Sequence, residues 1–249
     1  MQPDAWQFLQ NYTPARIARG RAGHSIPTNE LLKFQADHAQ ARDAVYSALN
    51  IPFLNESINN SFDSTVINLK SEVINRSQYL QRPDLGRTLS MASREELKRV
   101  NTSDSDICIV LTDGLSAEAI NQNAMPVLEI LIPKLTEINW RIAPICTVEQ
   151  GRVAVSDEIG FIFRSEIILN FIGERPGLTS PNSMGAYITF HPQVGMTDES
   201  RNCVSNIRLE GMTFELAVAK IIYLLTEIKS KKLSGVNLKD EIDEIILIH

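Results

Sequence analysis

Two carboxylates, two arginines, a serine and a cysteine fall where short polar loops follow apolar runs, and these are the residues with which the chain could do chemistry. The loops read TDGLS (112–116), EQGRV (149–153) and GERPGL (173–178). They supply Asp113, Ser116, Arg152, Val153, Glu174 and Arg175, and Cys203 arrives from a later loop, NCVSNI. Asp113, Ser116 and Glu174 together would suit work on a small substrate. Adjacent Glu174 and Arg175 would serve either as an ion pair fixing its loop or as hydrogen-bond partners for a polar ligand. Pro176 and Gly177 predict a rigid turn that brings backbone close to that ligand.

Much familiar chemistry is missing. No GxGxxG follows an apolar run and no GxxxxGK[ST] occurs, so the usual dinucleotide and P-loop phosphate cradles are absent. There is no HExxH and no GxSxG around Ser116, which reads as a helix N-cap. His24, His38, His191 and His249 are too scattered to form a metal site by spacing. The three cysteines have no CxxC pair and no disulfide framework.

The elements that must position these residues repeat one unit. ICIVLT (107–112), IAPICTV (142–148) and EIILNFIG (166–173) read as buried strands, because unbroken apolar runs bounded by turn residues suit parallel strands covered on both faces. Each leads through its loop into a helical pattern. Parallel β-α units put such loops on one edge of the sheet, where ligands of open α/β folds bind. GAYITF is a fourth extended segment, and a helix over 213–229 shows the stripe Leu216, Ala217, Ile221, Leu224 and Ile228. Pro126 predicts a break in the helix after DGLS. The expected fold class is α/β: a doubly wound, mostly parallel sheet with a smaller N-terminal helical region.

In that N-terminal region, Thr28 is the expected cap of a helix with Leu31, Phe34, His38, Ala41, Val45 and Ala48 on one stripe, which puts His38 on the buried side. Asn- and Ser-rich residues 50–64 read as a connector and domain boundary, separating 1–64 from 65–249. RPDLGR (82–87) reads as a turn or a two-arginine anion site, and Ser93 with Glu96 as a capping box. The 43% hydrophobic content supports a full core, and a net charge of -6 argues against a nucleic-acid binder. No run is long enough to span a bilayer, and the first residues do not read as a secretory signal.

Seven strings, GRAG (20–23), ADH (36–38), RPDLGR, DGLS (113–116), GRV (151–153), GERPGL and CVSNI (203–207), occur in this order. With this ordered set the chain resembles the light (small) chain of ethanolamine ammonia-lyase, from about residue 16 to 237. The resemblance implies an adenosylcobalamin-dependent lyase that converts ethanolamine to acetaldehyde and ammonia in an assembly of large and small chains. It implies that ethanolamine and the radical chemistry are held mainly by the large subunit, and that residues 65–249 form a Rossmann-like domain helping to enclose cobalamin at the interface. Carried over by motif, the cobalamin contacts are Val153, Glu174 and Cys203. Val153 would meet the corrin or nucleotide tail, Glu174 would accept from corrin amides, and Cys203 would be a small buried contact. No catalytic residue and no metal ligand is implied for this chain. Cobalt keeps dimethylbenzimidazole as its lower ligand in the family, consistent with the absence of DxHxxG here.

The location implied is the cytoplasm, inside a bacterial microcompartment in members whose N-terminal extension is associated with encapsulation; the N-terminal region here is short. The tail KDEIDEIILIH (239–249) continues past the usual end of the family and reads as an extra partner-binding helix or, more simply, as a helix packed on its own chain. Two rival readings of the same edge stay open: a stand-alone α/β enzyme using Asp113, Ser116 and Glu174, and an assembly subunit whose loops grip a protein partner without touching cofactor.

Overall fold

The computed structural model describes residues 4–13, 15–100 and 104–239. Among them is one six-stranded sheet, built from β1 (Val66–Lys70), β2 (Ser105–Thr112), β3 (Ile145–Glu149), β4 (Ser165–Gly173), β5 (Met184–Phe190) and β6 (Arg201–Ile207), in the order β1-β3-β2-β4-β5-β6. The first four strands in that order run parallel, while β5 and β6 are antiparallel additions. The apolar run of β2 is central, and its alternation feeds two cores. Ile107, Ile109 and Leu111 face one side, and Cys108 and Val110 the other.

The first side is covered by α2 (Ile51–Phe62), α5 (Ala117–Glu137) and α7 (Phe214–Lys231), the second by α4 (Met91–Arg99) and α6 (Val155–Ile162). The chain moves from β2 to β3 through α5 and back past β2 to β4 through α6. Opposite directions of travel thus use opposite faces, as one handedness of crossover requires. The expected doubly wound, mostly parallel α/β architecture is present.

Several local expectations are corrected. Pro126 and Pro133 lie inside α5 without ending it. Each interior proline costs about 3 kcal/mol, but Ile120, Val127, Leu128, Leu131 and Leu135 are all fully buried on one side, at about 1.5–3 kcal/mol each, so burial wins. The supposed connector at 50–64 is largely α2. Asn50 caps it by accepting from Phe53 N, Pro52 sits in its first turn, Asp63 ends it at φ 46°, and Leu54 and Ile58 enter the core four residues apart. Its Asn and Ser side chains form the polar face of a helix. Ser90, not Ser93, caps α4. CVSNI is not a loop but β6, and β1 had no counterpart among the expected strands.

The N-terminal helix α1 (Thr28–Tyr46) forms, but with Pro27 at its cap position and no side-chain cap. Its expected stripe is not buried: Leu31 is 44% and Phe34 41% exposed, His38 is exposed, and only Ala44 is buried. Among the helices and strands it packs chiefly on α5, and Arg16 of the preceding loop lies over the Phe34 ring at 5.2 Å. Ion pairs Arg16–Asp37 and Arg19–Glu30 fasten the preceding loop to it. Apart from Lys239, the C-terminal tail lies outside the described residues.

Candidate functional site

Adjacent strands β2 and β4 send their following segments in opposite directions, toward β3 and toward β5, which makes their carboxyl ends the switch point where open α/β sheets bind ligands. Here the switch point is closed by backbone. Leu115 N donates to Gly173 O at 2.9 Å, and Ser116 N to Asp113 O at 3.1 Å. Gly114 has φ +55°, and a Cβ on Gly173 would collide with the carbonyl oxygens of Ser116 and Asp113. The open space lies against this backbone, at Gly114, Leu115 and Gly173, and extends to Val153 and β5. It is a cavity of about 420 Å³ lined by Tyr79, Arg152, Val153, Glu174, Arg175 and Tyr187, among others.

Asp113 sets the height of the Val153 loop. Only 2% exposed, it accepts from Gln150 N at 2.7 Å and Gly151 N at 3.0 Å. Burial pushes its carboxyl up to about 6, against the opposing pull of those N–H groups and of Arg76 at 3.8 Å. Val153 O accepts from Asn170 Nδ2 at 3.3 Å, and Asn170 Oδ1 accepts from Thr112 Oγ1 at 2.8 Å. Both Thr112 and Asn170 are fully buried. This chain of polar groups fixes the floor of the cavity.

Beside it, the short helix α3 (Arg76–Gln81) is capped by Asn75, whose side chain accepts from Gln78 N at 3.0 Å. Three-residue spacing puts Arg76 and Tyr79 on one face. Tyr79 is fully buried and donates to Gly151 O at 3.0 Å, with the guanidinium carbons of Arg76 and Arg152 at 4.4 and 4.1 Å from its ring centre. Arg76 donates to Val45 O at 2.6 Å, Gly114 O at 2.9 Å and Gln150 Oε1 at 3.3 Å, tying α1 to both loops.

Glu174 is not paired with Arg175. Its Oε2 accepts from Ser183 Oγ and from Asn206 N at 3.3 Å, and Glu174 N donates to Ser183 O at 2.9 Å. Its Oε1 has no hydrogen-bond donor among the described residues and lies 3.0 Å from where a Cβ on Gly185 would stand. Arg175 is exposed and also unpaired among the described residues.

Cys203 sits one strand further out. It is registered against Tyr187 across β5 and β6, so both share the sheet face that α6 covers elsewhere. Contrary to expectation it is exposed rather than buried, with Sγ 3.3 Å from Ser205 Oγ. No described helix covers this end of the face. Val153 and Glu174 therefore share the cavity, while Cys203 adjoins it across Tyr187. Sequence reading missed Arg76, Tyr79 and Tyr187; for Tyr187 the alternation of GAYITF, with Ala186 and Ile188 turned to the opposite core, carried the signal.

The arrangement gives no assembled nucleophile and base. Ser116 is fully buried, donating to Pro181 O at 2.9 Å and accepting from Ala119 N at 3.3 Å, and Asp113 is committed to backbone. No group of three or more His, Cys, Asp or Glu that could hold a metal occurs among the described residues. What the cavity offers is an apolar wall, one free carboxylate oxygen and two arginines.

A family model described as ethanolamine ammonia-lyase light chain (EutC) matches residues 3–239. The ethanolamine ammonia-lyase small subunit of Pseudomonas putida (strain W619) is 47% identical over 239 residues, covering 95% of this chain and 88% of that one. The protein of the same name from Azotobacter vinelandii is also 47% identical, over 95% of this chain and 88% of its own length. That from Xanthomonas campestris pv. campestris (strain B100) is 46% identical over 98% of this chain and 90% of its own. By the family model over nearly its whole length and these near-complete alignments, the chain belongs to the ethanolamine ammonia-lyase light-chain family.

Proposed function

We propose that this chain is the small subunit of an adenosylcobalamin-dependent ethanolamine ammonia-lyase and forms one wall of a cobalamin site whose other wall is the large subunit. The observation that carries this reading is the half-open cavity beside the β2–β4 switch point, lined by both Val153 and Glu174. At about 420 Å³ it is sized for part of a ligand, since pockets enclosing one drug-sized molecule run to ~300–1,000 Å³ and a corrinoid is larger. A second surface is needed to complete it.

The residues present fit the group. Adenosylcobalamin has broad apolar ring faces rimmed by amide side chains, and the cavity is lined by both apolar Val153 and Glu174, whose Oε1 has no donor among the described residues. Gly185 keeps the space against that oxygen free of a side chain. When bound, adenosylcobalamin supplies a homolytically cleavable cobalt–carbon bond, the source of the radical chemistry that converts ethanolamine to acetaldehyde and ammonia. This chain's share is binding and orientation. Val153 buries apolar surface against the ring edge, and Glu174 accepts an amide N–H with a carboxylate already fixed by Ser183 and Asn206. Tyr187 and Cys203 extend the contact outward along the sheet, where the partner covers them. Ethanolamine is held mainly by the large subunit. The assembly works in the cytoplasm, or in a microcompartment where it is encapsulated.

The test is reconstitution of purified large and small chains with adenosylcobalamin. Ethanolamine-dependent ammonia release is expected only when both chains are present. Full activity from the large chain alone would reject the reading, and turnover by the small chain alone would favour the stand-alone enzyme.

A further inference from the structure

Two guanidinium groups line the cavity with no carboxylate partner. Arg152 is ordered in advance, stacked on Tyr79 at 4.1 Å with Nη2 donating to Tyr79 O at 3.1 Å. Its Nε is buried without a hydrogen-bond partner, and its Nη1 makes none to the described residues. Arg175, exposed at the same cavity, forms no ion pair among the described residues. The one carboxylate among the lining residues, Glu174, spends Oε2 on Ser183 and Asn206. Asp113, beneath, is taken by backbone and Arg76. In a chain of net charge -6, two cations left unpaired in one recess ask for an anion, and a buried donor without an acceptor is costly to keep. The planar fork of arginine suits phosphate oxygens.

We propose that Arg152 and Arg175 form an anion subsite that receives the phosphodiester of the cofactor's nucleotide tail. This rests on the cobalamin reading above, and the phosphodiester is the one anionic group on the periphery of that cofactor. The corrin rim then lies toward Val153 and Glu174, and the tail toward Arg152 and Arg175. Arg76 does not line the cavity: its Nε and Nη1 hold Val45, Gly114 and Gln150, its Nη2 is buried without a hydrogen-bond partner, and it positions the loop that carries Arg152.

The experiment titrates the co-purified complex of large and small chains with two corrinoids, adenosylcobinamide and adenosylcobinamide phosphate, which differ by the phosphate, and follows binding by the visible spectrum. The native complex is expected to prefer the phosphate form by about tenfold or more, the scale of one charge-assisted contact. In the double variant Arg152→Gln/Arg175→Gln that preference falls to about twofold or less, while adenosylcobinamide binds as before. Arg175→Ala alone, at an exposed position, gives a partial loss without disturbing Tyr79, and Arg152→Lys keeps part of the preference. Equal affinity of the native complex for both corrinoids, or an undiminished preference in the double variant, would overturn the subsite while leaving the cobalamin reading standing. Failure of the native complex to bind either corrinoid, or adenosylcobalamin itself, would remove both.

Discussion

In the proposed site Glu174 is readied for a ligand: Ser183 and Asn206 hold one carboxylate oxygen, and the other has no donor among the described residues. Glu174→Ala should therefore weaken adenosylcobalamin binding by about 1–3 kcal/mol while leaving the melting temperature of the isolated chain nearly unchanged, as a spectral titration beside a thermal melt would show. Gly185→Ala places a methyl 3.0 Å from Glu174 Oε1 and should reproduce part of the loss. Asp113 makes a different prediction. Its carboxyl is raised from 3.8 to about 6 by burial, a gap worth roughly 3 kcal/mol. The folded chain thus holds this proton to higher pH than the unfolded chain does, so the contribution is full below the unfolded value and is lost as pH rises through about 6. At low pH, where the native carboxyl keeps its proton, Asp113→Asn costs about 1–3 kcal/mol by turning an amide against a backbone N–H, and the variant cannot titrate at this position. Between about pH 4 and 6 the native chain should lose stability relative to this variant, read from urea midpoints; a constant difference would contradict the buried, proton-holding carboxyl. Val153, Glu174 and Arg152 were legible because motif and topology put them at the strand edge. Arg76 and Tyr79 were not, since a two-turn helix with one useful face leaves no pattern in a single sequence.

At the scale of elements, legibility followed how much of the structure each segment decides for itself. The runs of β2 and β4 and the stripe of α7 declare burial by composition alone. The polar strand β6 exists because β5 supplies its ladder, and VINLK of β1 because β3 does. In α2 the stripe Ile51, Leu54, Ile58 and Phe62 marks the core side, but Asn and Ser dominate the composition, so the helix was mistaken for a connector. The reverse error occurred in α1, where a clear periodicity met no covering element among the described residues. The two helices should respond oppositely to truncation. Leu54→Ala, removing a fully buried side chain, should cost about 2–5 kcal/mol. Phe34→Ala in the isolated chain, at 41% exposure, should cost no more than about 0.5 kcal/mol. Chemical denaturation of both variants decides the matter; a large loss for Phe34→Ala would mean that α1 is covered after all.

For the molecule as a whole, the parallel half of the sheet and its antiparallel extension must keep their relative position, because Val153 belongs to one and Tyr187 and Cys203 to the other. A buried ion pair spans them. Arg201 on β6 donates to both carboxylate oxygens of Asp157 on α6 at 2.5 and 2.7 Å, with both side chains 1% exposed. Removing one partner strands a charge in the interior, and Arg201→Ala should cost about 3–5 kcal/mol, seen as a lowered denaturation midpoint with weakened cobalamin binding in the complex. The central claim is that the exposed sheet end and its cavity become one side of a cofactor site on assembly. A structure of the complex of large and small chains loaded with adenosylcobalamin tests this most directly. The account predicts the corrin rim against Val153 and Glu174, with Tyr187 and Cys203 covered by cofactor or partner. A corrinoid enclosed wholly by the large chain, with this cavity facing solvent, would contradict it.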